Sequence, residues 1–144
     1  MRVLQGFSES PLIGTSWTAL EIAFNEENTT QISPNHNITL SFDSDRTHGS
    51  TGCNRYFGEY QQLSESSFST SIFGLTRMYC QDTMVQEMNY MRFLRSRIFF
   101  YKIICTGESE DELILFDAIP GPEGELVQGE EVLARFRILN EDVE

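Results

Sequence analysis

The sequence predicts an α+β domain: a mainly antiparallel, strongly curved, barrel-like sheet accompanied by one helix around residues 82–96. Three observations predict it. Apolar and polar residues alternate over 38–42 and again over 132–138, the period-two pattern of strands with one buried face. Glycines 49, 52 and 58 punctuate an aromatic stretch, as bulged or sharply bent strands require. Helical spacing appears in one place only, at Met84, Met88, Met91 and Leu94. Strands, then a helix, then strands is the order of an antiparallel sheet that can curl toward a barrel.

Taken in order, residues 1–13 read as a lead-in, 14–139 as one domain and 140–144 as an acidic tail. An apolar run over 15–24 with Trp17, Leu20, Ile22 and Phe24 predicts the first strand. Residues 25–35 are polar, hold Pro34 and predict a loop. Ile38, Leu40 and Phe42 form the next strand, followed by turn chemistry at Asp43-Ser44-Asp45. Residues 47–61 predict strongly bent strands, and 68–70 and 72–76 two short ones. Asp82 suits a helix N-terminus, and Thr83-x-x-Gln86 has the form of a capping box in which each side chain bonds the other's backbone. Residues 98–104 are continuously apolar and predict a buried strand. A charged turn over 107–111, a strand over 112–116, a loop over 120–124 and a last strand over 132–138 complete the chain.

With 144 residues, eleven Phe, five Tyr and one Trp, the chain can bury a core without staples. Ten basic against 22 acidic side chains give a formal charge of −12, which disfavours nucleic acid and anionic lipid surfaces at long range. Arg77, Arg92, Arg95 and Arg97 are the only candidates for a basic patch, and they read as solvated helix charge. No apolar stretch reaches the roughly 20 residues that cross a bilayer, and the N-terminus lacks the apolar region of a signal peptide. The expectation is therefore a cytoplasmic protein with reduced cysteines, in which the sequons at Asn28 and Asn37 stay idle.

The densest cluster of chemically capable residues runs from Gly49 to Tyr60. It lacks the lysine of a phosphate loop. Cys53 as a nucleophile would need His48 or His36 as base and a cation or helix N-terminus to hold the thiolate, whereas a small cysteine where strands crowd needs nothing further. Cys53, Cys80, Cys105, His36 and His48 show no zinc spacing. The acids Glu108, Glu110 and Asp111, and Glu123, Glu125, Glu130 and Glu131, do not follow a calcium loop and read as solvated turns. No cofactor, metal or catalytic activity is expected.

Four motifs in one order carry a family resemblance: Gly14-Thr15-Ser16-Trp17, then Gly49-Ser50-Thr51-Gly52-Cys53-Asn54-Arg55-Tyr56-x-Gly58-x-Tyr60, then Thr76-Arg77-Met78-x-Cys80, then Glu87-x-x-Tyr90-Met91-x-x-Leu94. Together they resemble the META domain, also called HslJ-like, over about residues 12–117. The resemblance implies a compact β-rich fold with one helix, no established enzymatic activity and no cofactor. Bacterial members are often envelope lipoproteins tied to heat or drug stress, and kinetoplastid members are linked to motility and secretion. This chain lacks the lipoprotein signal and its cysteine, so envelope anchoring does not carry over. Cys105 lies outside the pattern and reads as core filling.

Within the motif, Gly49, Gly52 and Gly58 would supply backbone geometry that a Cβ forbids, and Asn54 would bond its own turn. Trp17, Tyr60, Thr76 and Met78 complete the structural set. Cys53 and Cys80 each follow a bend and are candidates to face each other, as a disulfide worth on the order of 3–4 kcal/mol or as two thiols. Glu87 shares the helix face of Met91 and Leu94, where an unpaired carboxylate is costly, and Arg77 or Arg55 is its expected partner. The function these readings favour is a non-catalytic interaction module with an unidentified protein partner, acting in stress response, motility or secretion. Two alternatives stand beside it: a carrier holding a small apolar ligand inside the curved sheet, and a thiol redox protein using Cys53 and Cys80.

Overall fold

A computed structural model of the protein describes residues 10–24, 30–32, 37–105 and 110–139. Expectations for His36, Asn28, Glu108, the 140–144 tail, most of the 1–13 lead-in and most of the 25–35 loop lie outside those residues.

Among the described residues nine strands and one α-helix follow in the order β1 (Ser16–Ile22), β2 (Thr30–Gln31), β3 (Thr39–Phe42), β4 (Arg46–Ser50), β5 (Arg55–Ser64), β6 (Ser67–Leu75), α1 (Met84–Leu94), β7 (Ser96–Ile104), β8 (Glu112–Pro120) and β9 (Leu126–Ile138). Each of β3 to β8 pairs antiparallel with the next, and β1 pairs with both β3 and β9. The sheet is therefore a closed eight-stranded barrel, with the two-residue β2 added along the C-terminal end of β1. Closure removes the unpaired edges that an open sheet would have to protect. Register shifts between Ala19 and Glu21, between Phe57 and Gly58, and around Phe116 supply the local bends that closure needs.

Alternation sends one face of each strand inward. Phe68 on β6 sits at the centre, with the rings of Phe42, Phe99, Tyr101 and Tyr60 at 5.4, 5.5, 5.5 and 5.7 Å between centroids. Trp17, Leu40, Leu113, Leu115 and Phe136 fill the rest. Rings at these separations are in mutual contact, so the barrel interior is packed solid around Phe68.

Several expectations are corrected. Residues 67–75 form one strand, because Ser71 continues the antiparallel pairing with Glu59 without a break. The apolar run in β7 is not buried throughout: Phe99 and Tyr101 face the core while Ile104 is exposed, since a strand in a closed barrel has only one inner face. Cys105 is exposed rather than filling the core, because it follows the last residue of β7 where the chain leaves the sheet. The helix comprises a 3-10 turn, Gln81–Thr83, running into α1. Thr83 is its N-cap, yet its side chain makes no cap bond, and its buried hydroxyl has no hydrogen-bond partner among the described residues. Gln86 reaches out instead and donates to the Thr51 carbonyl at 3.0 Å. The buried face of α1 holds Glu87, Tyr90, Met91, Phe93 and Leu94, so the methionine stripe faces the core only at its C-terminal end, and Met88 is exposed.

Candidate functional site

The turn between β4 and β5 is where the sequence motifs converge. Gly49 approaches the neighbouring strand so closely that a Cβ would lie 2.2 Å from the Thr39 carbonyl oxygen. Gly52 opens the turn at φ +96°, a left-handed conformation that disfavours side chains with a Cβ. The Thr51 backbone N–H donates to the Asn54 carbonyl at 2.8 Å, and the Thr51 hydroxyl oxygen accepts from the Asn54 N–H at 2.9 Å, which closes the turn on itself. With the turn so closed, Asn54 projects inward and is 3% exposed.

Asn54 uses its whole hydrogen-bonding capacity. Its Oδ1 accepts from the Met78 N–H at 2.6 Å and from the Thr76 hydroxyl at 2.8 Å. Its Nδ2 donates to the Met78 carbonyl at 2.9 Å and to Glu87 Oε2 at 2.8 Å. Thr51 Oγ1 adds a donor to Glu87 Oε2 at 2.9 Å. A carboxylate that is 5% exposed is thereby satisfied by neutral donors. The expected ion pair is not made: Arg55 and Arg77 are both exposed, and Glu87 has no ion pair among the described residues. Alternation explains it for Arg55, since the strand residue next to an inward Asn54 and Tyr56 points to solvent.

Cys53 and Cys80 are joined by a disulfide with 5.8 Å between Cα atoms. It ties the turn to the residue that caps the 3-10 turn ahead of α1. Asn54 and the disulfide therefore grip the intervening residues 76–80 at both ends. That stretch has no regular structure, and it turns Met78 and Tyr79 outward, 58% and 76% exposed. Val85 and Met88 on α1 are also exposed.

Beside this network Tyr56 donates to the Thr39 carbonyl at 2.7 Å, and its hydroxyl meets that of Tyr90 at 2.9 Å. Burial pushes both phenols above their ordinary range, so the pair stays protonated. The remaining residues singled out by sequence sit elsewhere. Trp17 is in the core, donating to Thr15 Oγ1 at 2.7 Å, and Tyr60 meets Ser10 Oγ at 2.5 Å. Gly58 lets β5 approach β6, a Cβ there falling 2.3 Å from the Ser71 carbonyl. His48 lies 3.6 Å from Asp43 on the surface. Sequence reasoning places Thr51 only within the motif, with no role, and Gln86 as half of a capping box, yet both belong to the network. The available signal was that Thr51 and Asn54 are the polar residues of a turn flanked by inward-facing strand positions.

Among the described residues no three His, Cys, Asp or Glu side chains converge as metal ligands, and no helix is long and apolar enough to cross a membrane.

Comparison with known proteins bears on the same residues. A family model described as the META domain matches residues 10–121. No curated protein matches the chain. A protein from Burkholderia xenovorans, solved by NMR, has a similar fold at a TM-score of 0.56 with 18% identity, covering 97% of each chain.

Proposed function

The chain belongs to the META domain family, and from that premise we propose that it is a non-catalytic interaction module whose rigid 76–80 strap docks a protein partner. One observation carries the reading. The buried polar network spends its bonds on holding the backbone of Met78, while the Met78 and Tyr79 side chains are turned to solvent. Exposed apolar side chains on a pinned backbone lose little freedom on binding, which favours affinity. Tyrosine is also a favoured anchor residue at interfaces.

An enzymatic role finds no support in the same geometry, because Asn54, Thr51 and Glu87 are occupied with one another. The thiol redox alternative is weakened too. Cys53 and Cys80 are linked beside a network of amide, hydroxyl and carboxylate groups that contains no imidazole to hold a thiolate. A disulfide persists in oxidising surroundings, so the bridged form argues for such a compartment over the cytoplasm. The ligand-carrier alternative placed its cavity inside the sheet, where Phe68 and its four neighbouring rings now stand. Stress response, motility and secretion remain the settings in which a partner is to be sought.

The test is a paired affinity capture using the wild-type protein and a Met78→Ser/Tyr79→Ser variant of equal melting temperature. The wild type is expected to retain a reproducible partner that the variant loses. Equal capture by both, or no reproducible partner for the wild type, overturns the proposal.

A further inference from the structure

Alongside α1, and sharing Glu87 with the buried network, lies a groove of about 590 Å³, lined by Leu75, Met84, Glu87, Met88, Met91, Arg92 and Arg95. Its position follows from helical spacing. Met84, Met88, Met91 and Arg95 succeed one another by three or four residues, so they form one stripe about 16 Å long at 1.5 Å per residue. The stripe changes character along its length. Its N-terminal part is thioether and aliphatic, while its C-terminal end carries two exposed guanidinium groups.

Of the exposed arginines without an ion pair among the described residues, Arg55, Arg77, Arg92 and Arg95, only the last two line the groove. Acidic side chains outnumber basic ones 22 to 10, yet neither Arg92 nor Arg95 makes an ion pair among the described residues. Arg97, by contrast, is engaged by Asp117 at 3.5 Å. Glu87, the acid that borders the groove, is turned to Thr51 and Asn54 at the opposite end from the arginines. Two free planar donors beside an apolar floor match a ligand with a carboxylate head and an apolar tail. Methionine fits an unbranched, flexible tail, since its side chain adapts to irregular shapes.

We propose that this groove binds a single-tailed aliphatic carboxylate of medium chain length, with its head on Arg92 and Arg95 and its tail over Met84, Met88 and Met91. The site adjoins the 76–80 strap, since Leu75 precedes it and Met84 Sδ accepts from the Cys80 N–H at 3.3 Å, but it uses neither of the strap's exposed Met78 and Tyr79 side chains. The long-range repulsion of an anion by the acidic surface is screened at physiological salt, where charges farther apart than about 8 Å interact weakly.

The test titrates decanoate, below its micelle concentration, into the full chain carrying 13C-methyl methionine. The methyl signals of Met84, Met88 and Met91 should shift saturably, while that of Met78 on the strap stays in place. Octanoate should bind roughly 10-fold more weakly if both lost methylenes are buried. Decan-1-ol and decyltrimethylammonium should bind at least 10-fold more weakly, and Arg92→Gln/Arg95→Gln should weaken decanoate to the same degree. Both arginines are exposed, so the variant keeps its fold. Met88→Lys, also at an exposed position, should occupy the groove and abolish the shifts. Decanol binding as tightly as decanoate, an unaffected double variant, or shifts that include Met78 equally would overturn the assignment. Binding only by a peptide ending in a free carboxylate, and not by decanoate, would overturn it as well.

Discussion

Asn54 offers two donors and two acceptor positions, and every one is used inside the fold. Replacing it by alanine removes all four bonds at once. The Met78 N–H and the Glu87 carboxylate are then left short of partners in a site where Asn54 and Glu87 are nearly buried. An unsatisfied buried group costs about 1–3 kcal/mol and a charged one more, so Asn54→Ala should lower the unfolding free energy by about 3 kcal/mol or more. Arg55→Ala and Arg77→Ala, at exposed positions without an ion pair to Glu87, should stay within about 0.5 kcal/mol of wild type. Urea titration of the three variants checks this, and a loss on Arg77→Ala comparable to that on Asn54→Ala would contradict the network. That Glu87 is buried was legible from its place on the helix face. Its partner was not. Charge complementarity pointed to an arginine, whereas the turn geometry that aims Thr51 and Asn54 inward depends on Gly49 lying against Thr39, a contact between strands.

The helix was legible as an element and misread as a surface. Its spacing is plain from Met84 to Leu94, but two apolar stripes share that spacing, and the sequence cannot say which one meets the barrel. Tyr90 and Phe93 decide it, through contacts to Tyr56 and Phe99 that originate on other strands. The capping box failed for a similar reason: the Thr51 carbonyl, far away in sequence, takes the Gln86 amide. What anchors the start of this element is the Cys53–Cys80 bridge, which spans 27 residues and so closes a loop containing all of β5 and β6. In the chain-entropy account a loop of that size contributes on the order of 3–4 kcal/mol by restricting the unfolded chain. Cys53→Ser/Cys80→Ser should therefore lower the urea midpoint by a corresponding amount. A mild reductant should do the same to the wild type and nothing further to the variant. A midpoint indifferent to reductant would mean that the bridge adds no stability.

At the scale of the whole molecule the governing feature is that the first and last strands meet. Curvature could be read from the glycines and their aromatic neighbours, but closure could not, since pairing of Trp17 with Ile138 and of Ala19 with Phe136 leaves no mark on the local sequence of either strand. The alternating arginines of β9 read only as its polar face, yet Arg135 fastens the seam, reaching Glu21 on β1 at 3.0 Å and Glu112 on β8 at 3.2 Å. Half-exposed pairs of this kind contribute little individually, and the seam rests chiefly on what lies beneath it. Phe136 is fully buried there, in register with Ala19 on one side and Leu113 on the other. Truncating it empties a ring's volume from a site shared by three strands, at a cost of about 3–5 kcal/mol. Because those strands include both ends of the barrel, the loss should not stay local. The single Trp17, buried on the same seam, reports the termini by fluorescence, while far-UV circular dichroism reports the whole sheet. In Phe136→Ala the two signals should move to the same lower urea concentration and remain superimposed, as a single cooperative unit requires. If Trp17 instead became exposed well before the sheet was lost, the seam would be a separable latch and the barrel's stability would reside in the β4 to β8 segment alone.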